Sequence, residues 1–149
     1  MTIAANAVTS AKMAVVNTRR VCDIGIGDTS GSAITNAQLG PQKRGCFIPY
    51  AATIVEIDVS ADAGTPNVIV GRNLAGTQLN LLSGALATAS SGGIACSNTG
   101  GTTGIDGVTT CTNTLQNTAI TAGGYLELVS GTAGGTAKWM TVHVVYTVN

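Results

Sequence analysis

The chain has 149 residues, with seven basic and seven acidic side chains, a formal net charge of zero and only 9% charged residues. Ordinary soluble domains carry about 25% charged residues. Because phosphate backbones are bound by clustered Lys and Arg, this composition argues against nucleic acid as a partner. No apolar run is long enough for a transmembrane helix, so we expect no membrane insertion. A neutral surface gives copies little mutual repulsion, so we expect a homo-oligomer.

Residues 1–18 carry a short apolar stripe at helical spacing, which includes Val8, Ala11 and Val15. A helix this short is marginal alone, but packing against copies of itself would hold it. The alternative is an extended arm that runs along a neighbour. We therefore predict a short helix or an oligomerisation arm over 1–18, with these three side chains at an oligomer interface. A β-sandwich domain follows over 19–149.

The segments from Val21 to Ile26 and from Phe47 to Val59 read as strands, separated by a long Gly-rich turn region. The second shows the clearer alternation, which predicts two faces: Thr53, Val55, Ile57 and Val59 on one, and Ile54, Glu56 and Asp58 on the other. Two further short strands are predicted at 68–72 and 77–82.

The tract from Ser83 to Gly124 contains one charged residue, Asp106, and two cysteines, Cys96 and Cys111, among Gly, Ser, Thr, Asn and Ala. Such a composition alone is typical of a linker. Since strand sequences flank it on both sides, the two cysteines favour a disulfide-stapled loop at 83–124.

Two strands close the chain, Tyr125 to Ser130 and a long final strand from Trp139. Leu126 and Leu128 are predicted inward, with Glu127 outward. The final strand alternates an apolar face (Met140, Val142, Val144, Tyr146, Val148) with a half-polar one (Trp139, Thr141, His143, Val145, Thr147). Many short strands between turns predict an all-β, jelly-roll-like β-sandwich.

The four cysteines, Cys22, Cys46, Cys96 and Cys111, allow three disulfide pairings. Spacing favours Cys22 with Cys46 and Cys96 with Cys111, because each pair brackets one Gly-rich loop. Four free thiols in a cytosolic protein are the alternative. Paired cysteines imply an extracellular or virion setting. Without a CxxC pair, and with His143 as the single histidine, no metal site is expected.

Three segments of the sequence resemble known viral ones. NAVTSAKMAVVN at 6–17 resembles linkers that precede C-terminal domains of phage tail fibres. The segments at 47–73 and 120–149 resemble the paired halves of small jelly-roll domains on virion surfaces, with Gly124 where an Asp is common. The resemblance implies a homotrimeric tail-fibre or other virion surface protein that recognises host-cell glycans, with no catalytic residues.

A glycan site usually combines an aromatic platform with polar hydrogen-bonding side chains. Trp139 and Tyr125 are the candidates for a platform, and Asn98, Asp106 and Asn113 for hydrogen bonds. His143 is expected at a surface or an oligomer interface. These residues define the predicted binding and interface positions.

Catalysis would need Glu56 and Asp58, two acids on one strand face, or His143 as a base. Acids at i and i+2 on an exposed strand are ordinarily a solvated surface, and no nucleophile motif accompanies the histidine. We therefore expect a binding protein and not an enzyme, with no cofactor. Alternatives to a tail-fibre domain are a capsid decoration or filament subunit, and a secreted carbohydrate-binding module.

Overall fold

The computed structural model describes residues 19–27, 30–40, 43–88, 92–104, 107 and 109–149, with the backbone alone at 43 and 44. The predicted arm at 1–18, with Val8, Ala11 and Val15, lies outside these residues, and so does Asp106. The described residues contain no helix long and apolar enough to span a bilayer.

The described chain is built from short strands and one 3₁₀ turn at Asn36–Gln38. The strands are β1 (Arg19–Gly27), β2 (Lys43–Ile48), β3 (Ala52–Ala61), β4 (Asn67–Leu74), β5 (Thr77–Asn80), β6 (Leu86–Ala87), β7 (Gly93–Asn98), β8 (Asn113–Thr114), β9 (Ala119–Ile120), β10 (Gly124–Thr132) and β11 (Trp139–Val148).

Two sheets pack together around one apolar core. Sheet A has the order β1-β11-β3-β7-β8, with β9 also pairing with β3; sheet B has the order β2-β10-β4-β5, with β6 also pairing with β4. Met140, Val142 and Val144 of β11 and Leu126 and Leu128 of β10 have no exposed surface. The predicted all-β sandwich is therefore confirmed, as are the apolar faces of the last two strands.

The predicted strand from Phe47 to Val59 is wrong in extent. β2 ends at Ile48 in sheet B, and β3 begins at Ala52 in sheet A. Pro49 has no backbone N–H to donate to a ladder, so it interrupts pairing at this point. The short link from Pro49 to Ala51 therefore carries the chain from one sheet to the other.

The predicted faces of β3 hold only in its second half. Val145 of β11 pairs with Glu56, but the next residue, Tyr146, pairs with Ile54, so Val55 is an extra residue in β3. Such a β-bulge reverses which residues point inward. Ile54 consequently has no exposed surface, whereas Val55 is only half-buried. Thr53 is half-buried as well, and its assignment to the face of Ile57 and Val59 is wrong.

Both disulfides have the pairing that the spacing favoured. Cys22 of β1 is bonded to Cys46 of β2, with Cα atoms 5.9 Å apart. Because β1 is an edge of sheet A and β2 an edge of sheet B, this bond joins the two sheets along one side. The second bond joins Cys96 and Cys111, with Cα atoms 4.5 Å apart, inside the 83–124 tract.

Asp62 organises the turn that follows β3. Its Oδ1 accepts backbone N–H groups from Lys138 at 2.9 Å and Trp139 at 3.3 Å, at the start of β11. Desolvation raises the pKa of Asp62, but hydrogen bonds from the backbone of Lys138, Trp139, Asp62 and Ala63 together hold the pKa below its ordinary value. The carboxylate is thus favoured in the folded state, where it fixes the first residues of β11.

Replacing Asp62 by alanine is expected to lower the melting temperature by a few degrees at pH 7. Because the folded pKa is depressed, the stabilisation exists above the unfolded pKa and disappears as the pH falls through the folded one. The difference between D62A and the native chain should therefore narrow as the pH falls below about 4. Asp62→Asn, which keeps an acceptor oxygen, should lower the melting temperature less than Asp62→Ala. A gap in melting temperature that is equal at pH 7 and pH 2 would contradict this account.

Candidate functional site

The 83–124 tract contributes β7, β8 and β9 to sheet A and β6 to sheet B, and its disulfide lies on the outer face of sheet A. β7 pairs with β3 and carries Cys96, whose disulfide to Cys111 lies above Glu56. The carboxylate of Glu56 and the two sulfurs lie within 4.8 Å of one another. The sulfurs are bonded to each other, so they are not thiolate ligands for a metal. The part of the tract around this disulfide covers Glu56, and we call this part the stapled cover.

The structure corrects the expectation that Glu56 and Asp58 form a solvated acidic surface. Both point to the outer face of sheet A, but Glu56 is only 2% exposed and Asp58 is half-buried. The expectation of a solvated acidic surface is therefore wrong for Glu56, because the stapled tract covers it. A carboxyl group beneath a disulfide has no access to a large substrate.

The predicted hydrogen-bonding residues of the tract differ in their placement. Asn98 is buried, its Nδ2 donates to the Thr103 carbonyl at 2.8 Å, and its Oδ1 accepts the Thr102 N–H at 3.3 Å. It therefore holds the loop together. Asn113 is exposed on the two-residue strand β8.

His143 lies on the outer face of sheet A, in the middle of β11. Its Nδ1 is 2.6 Å from Oδ1 of Asp23 on β1, and Asp58 of β3 is its partner on the other side in the strand register. The side chains of His143 and Asp23 are 39% and 63% exposed. Both side chains are therefore accessible to solvent.

Trp139 and Tyr125, the predicted platform, are not brought together. Trp139 begins β11 in sheet A, at the end marked by Asp62. Tyr125 is the second residue of β10 in sheet B, while the opposite end of that strand, Thr132, pairs with Asn67, next to the turn that holds Asp62. The two side chains therefore belong to different sheets and to opposite ends of the sandwich. Trp139 is 47% exposed.

The aromatic partner of Tyr125 is Phe47 of β2. Their ring centroids are 5.1 Å apart with the planes tilted by 52°, a favourable arrangement for an aromatic pair. Phe47 is 52% exposed, so one ring of the pair is available at the surface. The pair occupies the outer face of sheet B.

Two amide side chains continue the line of this pair across the sheet. In the strand register Phe47 is opposite Tyr125, Tyr125 is opposite Asn73, and Asn73 is opposite Gln78. Opposed residues in neighbouring strands point to the same face. We call this line the aromatic–amide row. Strand spacing gives it a length of about 14 Å.

A buried carboxylate lies beside the row and holds its amides. Glu127 follows Tyr125 by two residues on β10, so it points to the same outer face. It is only 1% exposed, and its Oε1 accepts hydrogen bonds from Nδ2 of Asn73 at 3.3 Å and from Nε2 of Gln78. Asn73 also accepts the N–H of Gly76 through Oδ1, at 3.1 Å. The outward direction predicted for Glu127 is right, but its side chain is covered.

Period-two alternation already places Tyr125 and Glu127 on one face of a strand. Phe47, Asn73 and Gln78 were missed as members of a common site, because their strands are distant along the chain and only the register brings them into line. Each of these residues is unremarkable by itself in the sequence.

Comparisons with known proteins leave the family open. No family model matches the chain, and no curated sequence matches it significantly. Among solved structures, the chain is similar to one described as the capsid asymmetric unit of cyanophage Pam1. The identity is 17%, with 88% of this chain and 85% of that chain covered and a TM-score of 0.43. At this level the likeness carries no functional argument.

Proposed function

We propose that the chain is a structural protein of a virus particle surface, of the tail-fibre type, which assembles as a homotrimer and recognises host-cell glycans. Two disulfides support a setting outside a reducing cytosol. The resemblance of residues 6–17 to tail-fibre linkers, and of 47–73 and 120–149 to virion surface domains, supports the particle location. The function rests on binding and not on catalysis.

The observation that carries self-assembly is the strand β1. It is nine residues long and ends sheet A, so its second edge pairs with no strand in the described part of the chain. Val21 is 56% exposed on this strand, whereas its register partner Val145 on the neighbouring β11 is buried. Long edge strands with exposed apolar side chains invite pairing with another chain. The proposed partner is a second copy of this chain.

The native mass in solution tests this proposal. Light scattering on a non-reduced sample should give about three times the 14.8 kDa of one chain. Val21→Lys should shift the mass to that of a monomer, because a charge on the edge strand opposes pairing. Ile94→Lys is the matched control: Ile94 is also 56% exposed on sheet A, but on β7, away from β1.

Three outcomes would count against the proposal. A native monomer would remove self-assembly and favour a lone carbohydrate-binding module. A very large, polydisperse mass would favour a filament or shell subunit. Dissociation by I94K with none by V21K would move the interface away from β1.

A further inference from the structure

We propose that the aromatic–amide row on the outer face of sheet B is a binding site for a short neutral oligosaccharide. This inference rests on the glycan recognition in the proposed function and gives it a location and a ligand class. Its residues are Phe47, Tyr125, Asn73 and Gln78, with Glu127 as a positioning residue. It replaces the pair Trp139 and Tyr125, which the fold separates.

The aromatic half of the row suits the apolar face of a sugar ring. Phe47 is 52% exposed, although a phenylalanine in a small domain is ordinarily drawn into the core. Its contact with Tyr125 at 5.1 Å fixes the orientation of the exposed ring. A fixed ring can stack on a ligand without losing much side-chain entropy on binding.

The amide half of the row suits hydroxyl groups. Nε2 of Gln78 donates one of its two hydrogens to Glu127. The second hydrogen, and the side-chain carbonyl oxygen of Gln78, have no partner among the described residues. An amide offers a donor and an acceptor side by side, which matches a hydroxyl group that both donates and accepts. Gln78 is thus suited to one or two hydroxyls of a ligand that lies along the row.

Glu127 makes the amides rigid before any ligand arrives. One buried oxygen accepts hydrogen bonds from both Asn73 and Gln78, so both side chains are held in place. Bonds to a carboxylate are stronger than bonds between neutral groups. Pre-organised polar groups lose less entropy when they bind, so they contribute more to affinity. The carboxylate itself is covered, so the groups that the row presents at the surface are neutral.

The ligand class follows from these features together. The row presents aromatic carbon at one end and neutral amides at the other, over about 14 Å. A ligand that fits must combine apolar ring faces with many hydroxyls and have the length of a few linked rings. A short neutral oligosaccharide has this chemistry.

The test is calorimetric titration of the native chain with three neutral probes, maltotriose, cellotriose and tri-N-acetylchitotriose, and one acidic probe, 3′-sialyllactose. At least one neutral probe should bind, with affinity in the millimolar range or better. Phe47→Ala and Gln78→Ala should each weaken this binding by about tenfold. Trp139→Ala should leave it unchanged, as a matched control with a similarly exposed aromatic residue, 47% against 52%.

Glu127 is tested by its two closest replacements in shape. Glu127→Gln keeps an acceptor oxygen and should retain most of the affinity, whereas Glu127→Leu removes the acceptor and should weaken binding. Circular dichroism and the melting temperature of each variant establish that it is folded. Loss of affinity in a folded E127L with rescue in E127Q would support a positioning role, and equal affinity in the two would overturn it.

Several results would overturn the site. These are binding of no neutral probe, binding that F47A and Q78A leave unchanged, loss of binding in W139A, or binding of 3′-sialyllactose alone. A change in native mass in F47A would instead make this face a contact between copies. Native mass and titration are separate measurements, so the two proposals can fail separately. A trimer that binds no sugar would contradict only the glycan site. A monomer that binds sugar would contradict only the assembly.

Discussion

Replacing Cys22 and Cys46 together by alanine is expected to lower the free energy of unfolding by about 3 kcal/mol. The bond closes a loop with a sequence separation of 24 residues and joins β1 of sheet A to β2 of sheet B. Without it, the unfolded chain gains conformational freedom and the two sheet edges lose their covalent connection. The whole sandwich should therefore melt earlier, in one cooperative transition.

The matched comparison is the double replacement of Cys96 and Cys111. Its sequence separation of 15 residues gives a similar entropic contribution, again about 3 kcal/mol. This bond lies within the stapled cover, so its loss should first open the cover while the sandwich stays folded. Hydrogen exchange should then accelerate in 96–115, with the amides of β10 and β11 still protected.

Denaturant unfolding and hydrogen exchange, both without reductant, distinguish the two variants. A local opening in the Cys22 and Cys46 variant would contradict the division between sandwich and cover. So would a loss of global stability in the Cys96 and Cys111 variant. Equal global losses in both variants would mean that the cover is an integral part of the cooperative unit.

The sequence was most informative where a single strand decides the outcome. Met140, Val142 and Val144 were correctly assigned to the core, since period-two alternation depends only on the strand itself. Loop spacing was likewise sufficient to favour the observed disulfide pairing. Local patterns therefore predicted the all-β class and the apolar faces of the last two strands.

Features that depend on the order of strands in the sheets could not be predicted from the sequence of a single strand. Tyr125 of β10 and Trp139 of β11 were grouped as a platform because both are aromatic, with no information on the order of their strands. The connection between them instead carries the chain from sheet B to sheet A. Phe47, Asn73 and Gln78 became a site only through the register of β2, β4 and β5.

The burial of two carboxylates is a second feature that could not be predicted from the sequence. Glu56 and Glu127 both point to outer faces, as alternation predicts, yet they are only 2% and 1% exposed. One lies under the disulfide of the stapled tract, and the other lies under two amides. Since an acid on an outer face is ordinarily solvated, only the tertiary cover shows that these two are not.

The β-bulge in β3 predicts a large difference in stability between alanine substitutions at two adjacent residues, Ile54 and Val55. Ile54→Ala is expected to lower the free energy of unfolding by about 2–5 kcal/mol, because Ile54 has no exposed surface and its truncation leaves a cavity. Val55→Ala should cost about 1 kcal/mol or less, since the half-buried Val55 is the extra residue of the bulge.

Unbroken alternation through β3 would reverse this order, with Val55 in the core beside Ile57 and Ile54 at the surface. The backbone agrees with the bulge, since the N–H of Ile54 donates to the Thr118 carbonyl at 2.9 Å, beside the β3–β9 pairing. Urea unfolding of the two variants decides between the alternatives. A larger loss in V55A than in I54A would place the bulge elsewhere and reverse the inner face of β3 from Ala52 to Val55.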